Sequence, residues 1–344
     1  MTPVSVGIVG LGRSGWNMHA AVLNELTDKY HIAAVTDPDP ARRQEAEKVF
    51  NCLSFSDFDE FLNAATDLIV VASPSHLHKE QTLAALAAKK HVLVEKPFAP
   101  TATDVEEMIV AARQNGKLLT VNQNYRFKPH YQTISEVMAS GLIGEIVQIK
   151  ISIHQFSRRW DWQTLKQRNG GILTNHGAHA LDWLLLHFED EDPEVFCHLV
   201  STPLYAGDAD SHAKVIIRPK DGPLMDLELT HSNAYPQERY LVMGTQGSLV
   251  GSDETLRWKY FNPEHEEKLE LEEAPTPNRS YNAENLSFTE ETISFDLKPN
   301  QDLRHLYDDL YLSLTDGKDL AITPESVHRQ IKLIEKCKRS AGWL

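Results

Sequence analysis

Val4-Ser5-Val6-Gly7-Ile8-Val9-Gly10-Leu11-Gly12-Arg13-Ser14-Gly15 is the stretch that decides the fold. Its first six residues are apolar and β-branched, the pattern of a buried parallel strand. Gly10-Leu11-Gly12-Arg13-Ser14-Gly15 follows at once, and a helical pattern then runs to about Leu26. Residues 32–36 read as the next strand, which ends at Asp37. This is a dinucleotide-binding loop in the context it requires. The first glycine allows the tight turn, the second lets the backbone approach a pyrophosphate, and the third lets the helix pack closely. The start of the helix offers free N–H groups to phosphates. Asp37 is placed to accept hydrogen bonds from an adenosine ribose, which favours NAD over NADP. Arg42 and Arg43 leave NADP open, because either they meet a 2′-phosphate or they are the solvated first turn of the helix after Pro40.

The strand–helix rhythm continues to about residue 121, with strands expected at 68–72, 91–95 and 118–121. Helices are expected at 76–89 and 101–115, the second with Thr103 as cap, Glu106 in the capping-box position and Gly116 as terminator. Such alternation means a parallel, doubly wound sheet, the Rossmann arrangement. One strand ends in Val92-Leu93-Val94-Glu95-Lys96-Pro97. Pro97 holds Lys96 out of the helical region, so an ammonium is presented at a strand's carboxyl end, where open α/β sheets bind ligands.

After Asn122 the pattern changes. A helix is expected at 129–140, then strands at 146–154, 194–200, 212–217, 225–231 and 240–243, separated by turns rather than helices. That spacing implies antiparallel pairing. The charge-rich 264–273 reads as a solvated loop or edge strand, 278–291 is polar and poorly patterned, and helices are expected at 303–314 and 324–338. The chain of 344 residues is long enough for two domains, expected at 1–123 and 124–344. A net charge of −15 argues against nucleic acid and against an anionic membrane surface. No apolar run is long enough to span a bilayer, and the amino terminus carries no export pattern. The three cysteines are far apart, with no zinc spacing or disulfide framework, so a reducing cytoplasmic compartment is expected.

Taken together, Gly10 to Gly15, Pro74 with His78, Lys90-His91-Val92-Leu93-Val94-Glu95-Lys96-Pro97, Asn124-Tyr125-Arg126-Phe127, Gly141-Leu142-Ile143-Gly144-Glu145 and Gly177-x-His179-x-x-Asp182 resemble the glucose–fructose oxidoreductase, inositol dehydrogenase and rhizopine-catabolism family (Gfo/Idh/MocA). The resemblance covers nearly the whole chain. It implies an α/β protein: an N-terminal Rossmann domain and a C-terminal α/β domain with a large, open, mostly antiparallel sheet. It implies an NAD(P)-dependent enzyme that transfers hydride between nicotinamide and a carbinol or carbonyl carbon of a sugar or cyclitol. The family's lysine maps to Lys96 and its histidine to His179. A homodimer or homotetramer is expected by the same analogy.

The cofactor side is expected to draw on Gly10, Leu11, Gly12, Arg13, Ser14, Gly15, Asp37, Ser73, Pro74, His78, Glu95 and Lys96. The helix expected at 177–188 buries Ala178, Leu181, Leu184, Leu185 and Phe188; if it starts near Asn175, then Asn175, His179 and Asp182 share the other face. Asn175 is either an N-cap or a catalytic group, His179 either a packing histidine or a catalytic one, and Asp182 is structural. Many family members carry aspartate at the position of Asn175; asparagine leaves His179 easier to keep neutral and puts a Lys–Asp–His relay in doubt. In Phe156-Ser157-Arg158-Arg159-Trp160-Asp161-Trp162-Gln163, Arg159, Trp160, Asp161 and Trp162 are expected to bind sugar hydroxyls and ring faces, unless the segment is an inert loop. Tyr125 and Arg126 sit at the domain junction and either line the same cleft or are structural. Pairs such as His76 with His78, or His176 with His179, lack a third ligand, so no metal is expected. Two other functions compete: a redox-neutral, NAD-dependent glycoside-cleaving enzyme and a non-catalytic NAD-binding regulator.

Overall fold

The computed structural model describes residues 3–265, 269–274, 279 and 281–344. Two sheets carry the chain. The first has six parallel strands in the order β3-β2-β1-β4-β5-β6: Val4–Val9, Tyr30–Thr36, Leu53–Phe55, Leu68–Val71, His91–Val94 and Leu119–Val121 for β1 to β6. The middle strands are buried on both faces, with Val6, Ile8, Leu68, Ile69, Val70 and Leu93 all inaccessible. That is why they read as unbroken apolar runs. The short edge strand β3 was not expected, since a three-residue, half-exposed segment leaves no pattern to read. The order reverses between β1 and β4, so the loops after Val9 and Val71 flank one crevice at the carboxyl ends of the strands. The cap of the helix Ala102–Asn115 is Thr101, whose hydroxyl accepts from the Asp104 N–H, and not Thr103. Extended backbone at Thr101 suits a cap, whereas Thr103 already lies inside the helix.

The second sheet has eight strands in the order β14-β13-β12-β11-β7-β10-β9-β8. They run Ile146–His154, Glu194–Val200, His212–Arg218, Leu224–Thr230, Tyr240–Gly244, Gly247–Gly251, Thr255–Tyr260 and Thr289–Ser294 for β7 to β14. All pairs are antiparallel except β7 with β10. The last three strands lay outside the expectation. Strand β14 is an edge with every residue exposed, so it has no apolar face to leave an alternating signature. The charge-rich 264–273 and the polar 278–291 fall partly outside the described residues.

The helix expected at 177–188 is shorter than the pattern implied. A separate turn, Ile172–Asn175, precedes Gly177–Leu184, and a tighter turn, Leu185–His187, follows. All eight residues from Gly177 to Leu184 are buried, so both stripes of this helix face protein. The helices Gln301–Thr315 and Pro324–Ser340 return to the first sheet: the Tyr30 hydroxyl donates to the Tyr307 carbonyl at 2.8 Å, and the Thr120 hydroxyl to that of Ile322 at 2.7 Å.

Candidate active site

At the end of β1 the backbone turns through Gly10, where φ is +89°. A Cβ on Gly15 would stand 1.8 Å from the Gly10 carbonyl oxygen, so nothing larger than glycine fits. A Cβ on Gly12 would meet nothing within 4 Å. The loop is thus closed on its protein side and open on its outer side, the shape needed to admit a pyrophosphate against backbone N–H groups. Asp37 Oδ2 accepts from the Leu11 N–H at 2.7 Å and Oδ1 from the Asp39 N–H at 2.9 Å, which fixes the carboxylate beside the glycine loop. Arg43 is engaged by the Asp37 and Pro38 carbonyls. Arg42, half exposed, has Nη1 3.6 Å from Asp37 Oδ2.

The corner after β5 is built on a buried network. Glu95 Oε1 lies 2.9 Å from His19 Nε2 and accepts from Asn122 Nδ2 at 2.8 Å, while Oε2 accepts from the Lys96 N–H at 2.9 Å. A carboxylate only accepts, so His19 Nε2 carries a proton; its Nδ1 sits 2.7 Å from the Tyr307 hydroxyl. Burial by itself would raise the Glu95 pKa. The His19 hydrogen bond, the Lys96 charge and the Asn122 amide outweigh burial and hold it at about 2. Glu95, expected as a cofactor contact, lines the same cavity as Lys96 and is anchored there by these bonds. His78, also expected on the cofactor side, is buried with Nε2 2.9 Å from the Ser73 carbonyl and Nδ1 3.0 Å from that of Pro97. It ties the loop after β4 to the corner after β5, and both ring nitrogens are engaged by backbone. Ser73 itself turns its hydroxyl to Gln81, and Pro74 starts the turn Ser75–Leu77.

Lys96 and His179 line one cavity of about 360 Å³, together with Arg13, Ser14, Asn122, Tyr125, Arg159 and Asn175. Lys96 Nζ donates to Asn175 Oδ1 at 3.0 Å, and Asn175 Nδ2 donates to Gln163 Oε1 at 3.2 Å. Asn175 is not a cap: it closes the turn Ile172–Asn175, and the next helix has no side-chain cap. Nor does its amide hydrogen-bond the His179 ring; it holds the lysine. Burial pushes the Lys96 pKa down, Glu95 opposes, and Arg13 and Arg159 add to the fall. His179 stacks on Tyr125 with centroids 3.7 Å apart and planes 9° off parallel. Lys128 Nζ stands 3.6 Å from the same Tyr125 centroid. Two groups that close cannot share a face, so Tyr125 is sandwiched between ammonium and imidazole. Burial, with the charges of Lys96 and Lys128, keeps the His179 pKa well below the usual histidine value.

Several expected substrate contacts lie elsewhere. Arg126 makes a two-pronged pair with Asp182, at 2.6 and 2.7 Å, and also donates to Ser326. It pins the Tyr125 segment to the buried helix instead of lining the cavity. Trp160 is 80 % exposed and Trp162 38 %, and neither lines the cavity. Asp161 folds back on Arg159 and on the Gln163 N–H. Of that segment Arg159 lines the cavity, with Gln163, which the sequence reading had not singled out. His231, Gln155, Ser157 and His176 also line it unanticipated; His231 Nδ1 lies 2.6 Å from the Ser157 hydroxyl. Gln155 and His231 directly follow β7 and β10, where no local motif marks them, and Ser157 lies within the quoted segment Phe156 to Gln163. His176 and Gln163 were within reach, sitting beside residues already named. Among the described residues no three potential ligands stand close enough to hold a metal ion, and no helix is long and apolar enough to cross a membrane.

Residues 4–123 match the family model described as an oxidoreductase family with an NAD-binding Rossmann fold, and residues 131–250 match the GFO/IDH/MocA C-terminal domain. The chain belongs to the GFO/IDH/MocA oxidoreductase family. It is 28 % identical over 258 residues to the 2,7-anhydro-N-acetylneuraminate hydratase of Escherichia coli, covering 72 % of this chain and 67 % of that one. It is 34 % identical over 189 residues to the D-glucoside 3-dehydrogenase of Escherichia coli, a match that spans only 53 % of either chain. The structure of the oxidoreductase yvaA from Bacillus subtilis superposes with a TM-score of 0.83 at 20 % identity, covering 99 % of this chain and 97 % of that one. That likeness shows the shared fold. Membership explains why a glycine loop, a lysine corner and a buried histidine helix recur here in one order: the first domain is an NAD-binding one, and the second closes over its strand ends.

Proposed function

We propose that this family member is an NAD-dependent dehydrogenase acting on a CH–OH group of a sugar, sugar derivative or cyclitol. The observation that carries it is the shared cavity: Lys96 and His179 line the same space as Arg13 and Ser14 of the glycine loop. Gly10 to Gly15 would hold the pyrophosphate, Asp37 the adenosine ribose, and Ser73 and Pro74 one wall of the crevice. When bound, the nicotinamide supplies the two-electron acceptor. Lys96 binds the reacting hydroxyl and stabilises the developing alkoxide. Its lowered pKa lets it take up the proton, while Asn175 fixes its ammonium in place. His179, kept neutral, passes that proton towards solvent. Arg159 and Tyr125 complete the substrate wall. The anchored Asp37 carboxylate supports NAD, which a 2′-phosphate beside it would disfavour. The setting would be the cytoplasm and the assembly a homodimer or homotetramer.

The test is Lys96→Met with a panel of sugars and inositols, read by nicotinamide absorbance. NAD affinity should persist and turnover should fall by roughly 10²–10⁴-fold. Near-normal turnover would remove Lys96 from the chemistry. The hydratase among the relatives keeps a redox-neutral cycle as the second reading: substrate consumed without net NADH would favour it.

A further inference from the structure

Beside the cavity that holds Lys96 lies a second and larger one, of about 600 Å³, on the end of the eight-stranded sheet. Tyr125, Gln155, His176 and His179 line both spaces, so the two adjoin at the imidazole. The first already has to take the nicotinamide end of the dinucleotide and a carbinol, and about 300 Å³ is the lower bound for a small-ligand site. The second is a full pocket in its own right, which the proposed chemistry touches only at Tyr125 and His179.

Its walls are polar and lean negative. Glu238, Asp253 and Glu254 contribute carboxylates. The arginine of the wall is already engaged: Arg239 Nη1 pairs with Asp253 at 2.9 Å. A phosphate or carboxylate would meet acceptors here and find no free cation among these groups. Hydroxyl groups would meet acceptors for their protons. The pocket also has donors and acceptors to offer: Ser152 Oγ, His176 Nδ1, His179 Nδ1 and Arg239 Nε are buried without a partner among the described residues. Ser152 is 3 % exposed and His179 7 %. Buried polar atoms left unpaired are costly, and a hydroxylated ligand is one way to pair them. Next in the chain to wall residues Pro236 and Gln155, Tyr235 and Phe156 are 89 % and 62 % exposed, open ring faces of the kind that pack on pyranose rings.

We propose that this chamber is a subsite for an uncharged glycosyl or polyol extension of the substrate, so that the enzyme prefers a glycoside to a free monosaccharide or a sugar phosphate. The proposal rests on the dehydrogenase reading and adds the substrate class to it.

The experiment takes the NAD-saturated protein and offers glucose, galactose and N-acetylglucosamine, each free, as its methyl glycoside, as a disaccharide and as its 6-phosphate. Turnover is followed by absorbance and binding by calorimetry, for wild type and for Gln237→Trp. Gln237 is an exposed wall residue whose side-chain oxygen accepts from Lys150, and a tryptophan there narrows the chamber. The disaccharide of the accepted sugar should exceed the free sugar at least tenfold in kcat/KM, since binding energy away from the reacting carbon is used at it. Gln237→Trp should lower that ratio towards one. Equal constants for free and extended sugars, a preference for the phosphate, or a ratio unchanged in the variant would each overturn the proposal. Disaccharide binding that Gln237→Trp abolishes, without oxidation of any sugar, would uphold the chamber and refute the dehydrogenase reading. Oxidation of free sugars with no gain from extension would do the reverse.

Discussion

Asn175→Asp is the sharpest probe of the site, because it changes one charge and almost no volume. In the wild type the Asn175 Oδ1 stands 3.0 Å from the Lys96 ammonium, and burial already depresses the Lys96 pKa. A carboxylate oxygen in that place faces the ammonium at hydrogen-bond distance. At an effective dielectric of about 20, two unit charges that close attract by roughly 5 kcal/mol, which is a ceiling. The new carboxylate must itself be stripped of water, and it loses the donor that Asn175 Nδ2 gives to Gln163. Opposite charges within a few ångströms more typically move a pKa by about one to three units. The charged form of Lys96 is the one favoured, so the amine becomes available only at higher pH. For alcohol oxidation the limb of the kcat–pH profile that rises with pH should therefore move up by roughly one to three pH units. At a fixed pH below that limb, kcat should fall by about 10- to 10³-fold. NAD affinity, measured by fluorescence titration, should not change. In the direction of carbonyl reduction, where the ammonium donates, the variant should stay active to higher pH than the wild type. A profile that superposes on the wild type in both directions would show that the proton in question is not on Lys96.

Three further outcomes follow from the same coordinates. Lys128→Met removes the ammonium from the far face of Tyr125, and since that charge disfavours imidazolium, the His179 pKa should rise and the acidic limb of kcat/KM shift up by roughly half a pH unit; an unmoved limb would mean the sandwich has no electrostatic role. Gly12→Val should keep the thermal unfolding midpoint and lose NAD binding, because its side chain projects into the open side of the loop, whereas Gly15→Ala should lower the midpoint itself through the clash with the Gly10 carbonyl; calorimetry separates the two, and equal midpoints would refute the distinction. Glu95 titrates at about 2 in the fold, below its unfolded value, so its contribution is present above about pH 4.5 and is lost as pH falls towards 2; denaturant midpoints at pH 7, 4 and 2.5 should show Glu95→Gln losing this part of the acid sensitivity, on the order of 3 kcal/mol, and parallel curves would exclude Glu95 as its source.

The first sheet apart from its edge strand β3, the glycine loop, Asp37 and the Lys96 corner were legible from the chain. Each is local: a strand, its turn and the following helix are written in adjacent residues, and the glycines do one steric job each. The buried helix was legible in outline, because Ala178, Leu181 and Leu184 repeat on one stripe. What sequence spacing could not convey is which polar side chains meet. Arg126 and Asp182 are 56 residues apart and close on each other, so a residue expected to face substrate became a strut. His19, Glu95, Asn122 and Tyr307 form one buried network from four distant segments. Asn175 was read as a cap or as a catalytic group sharing a face with His179, four residues away on the same presumed helix. The helix breaks at His176, and the amide turns to Lys96, 79 residues earlier. Spacing in a helix fixes which side chains share a stripe; the chain alone determined the NAD-binding half, and its family resemblance singled out Lys96 and His179 as candidates. Only packing of the two sheets around the buried helix decided which groups hold that lysine, which residues become struts, and that the cleft has a second chamber, because those contacts join segments whose separation along the chain carries no periodic trace.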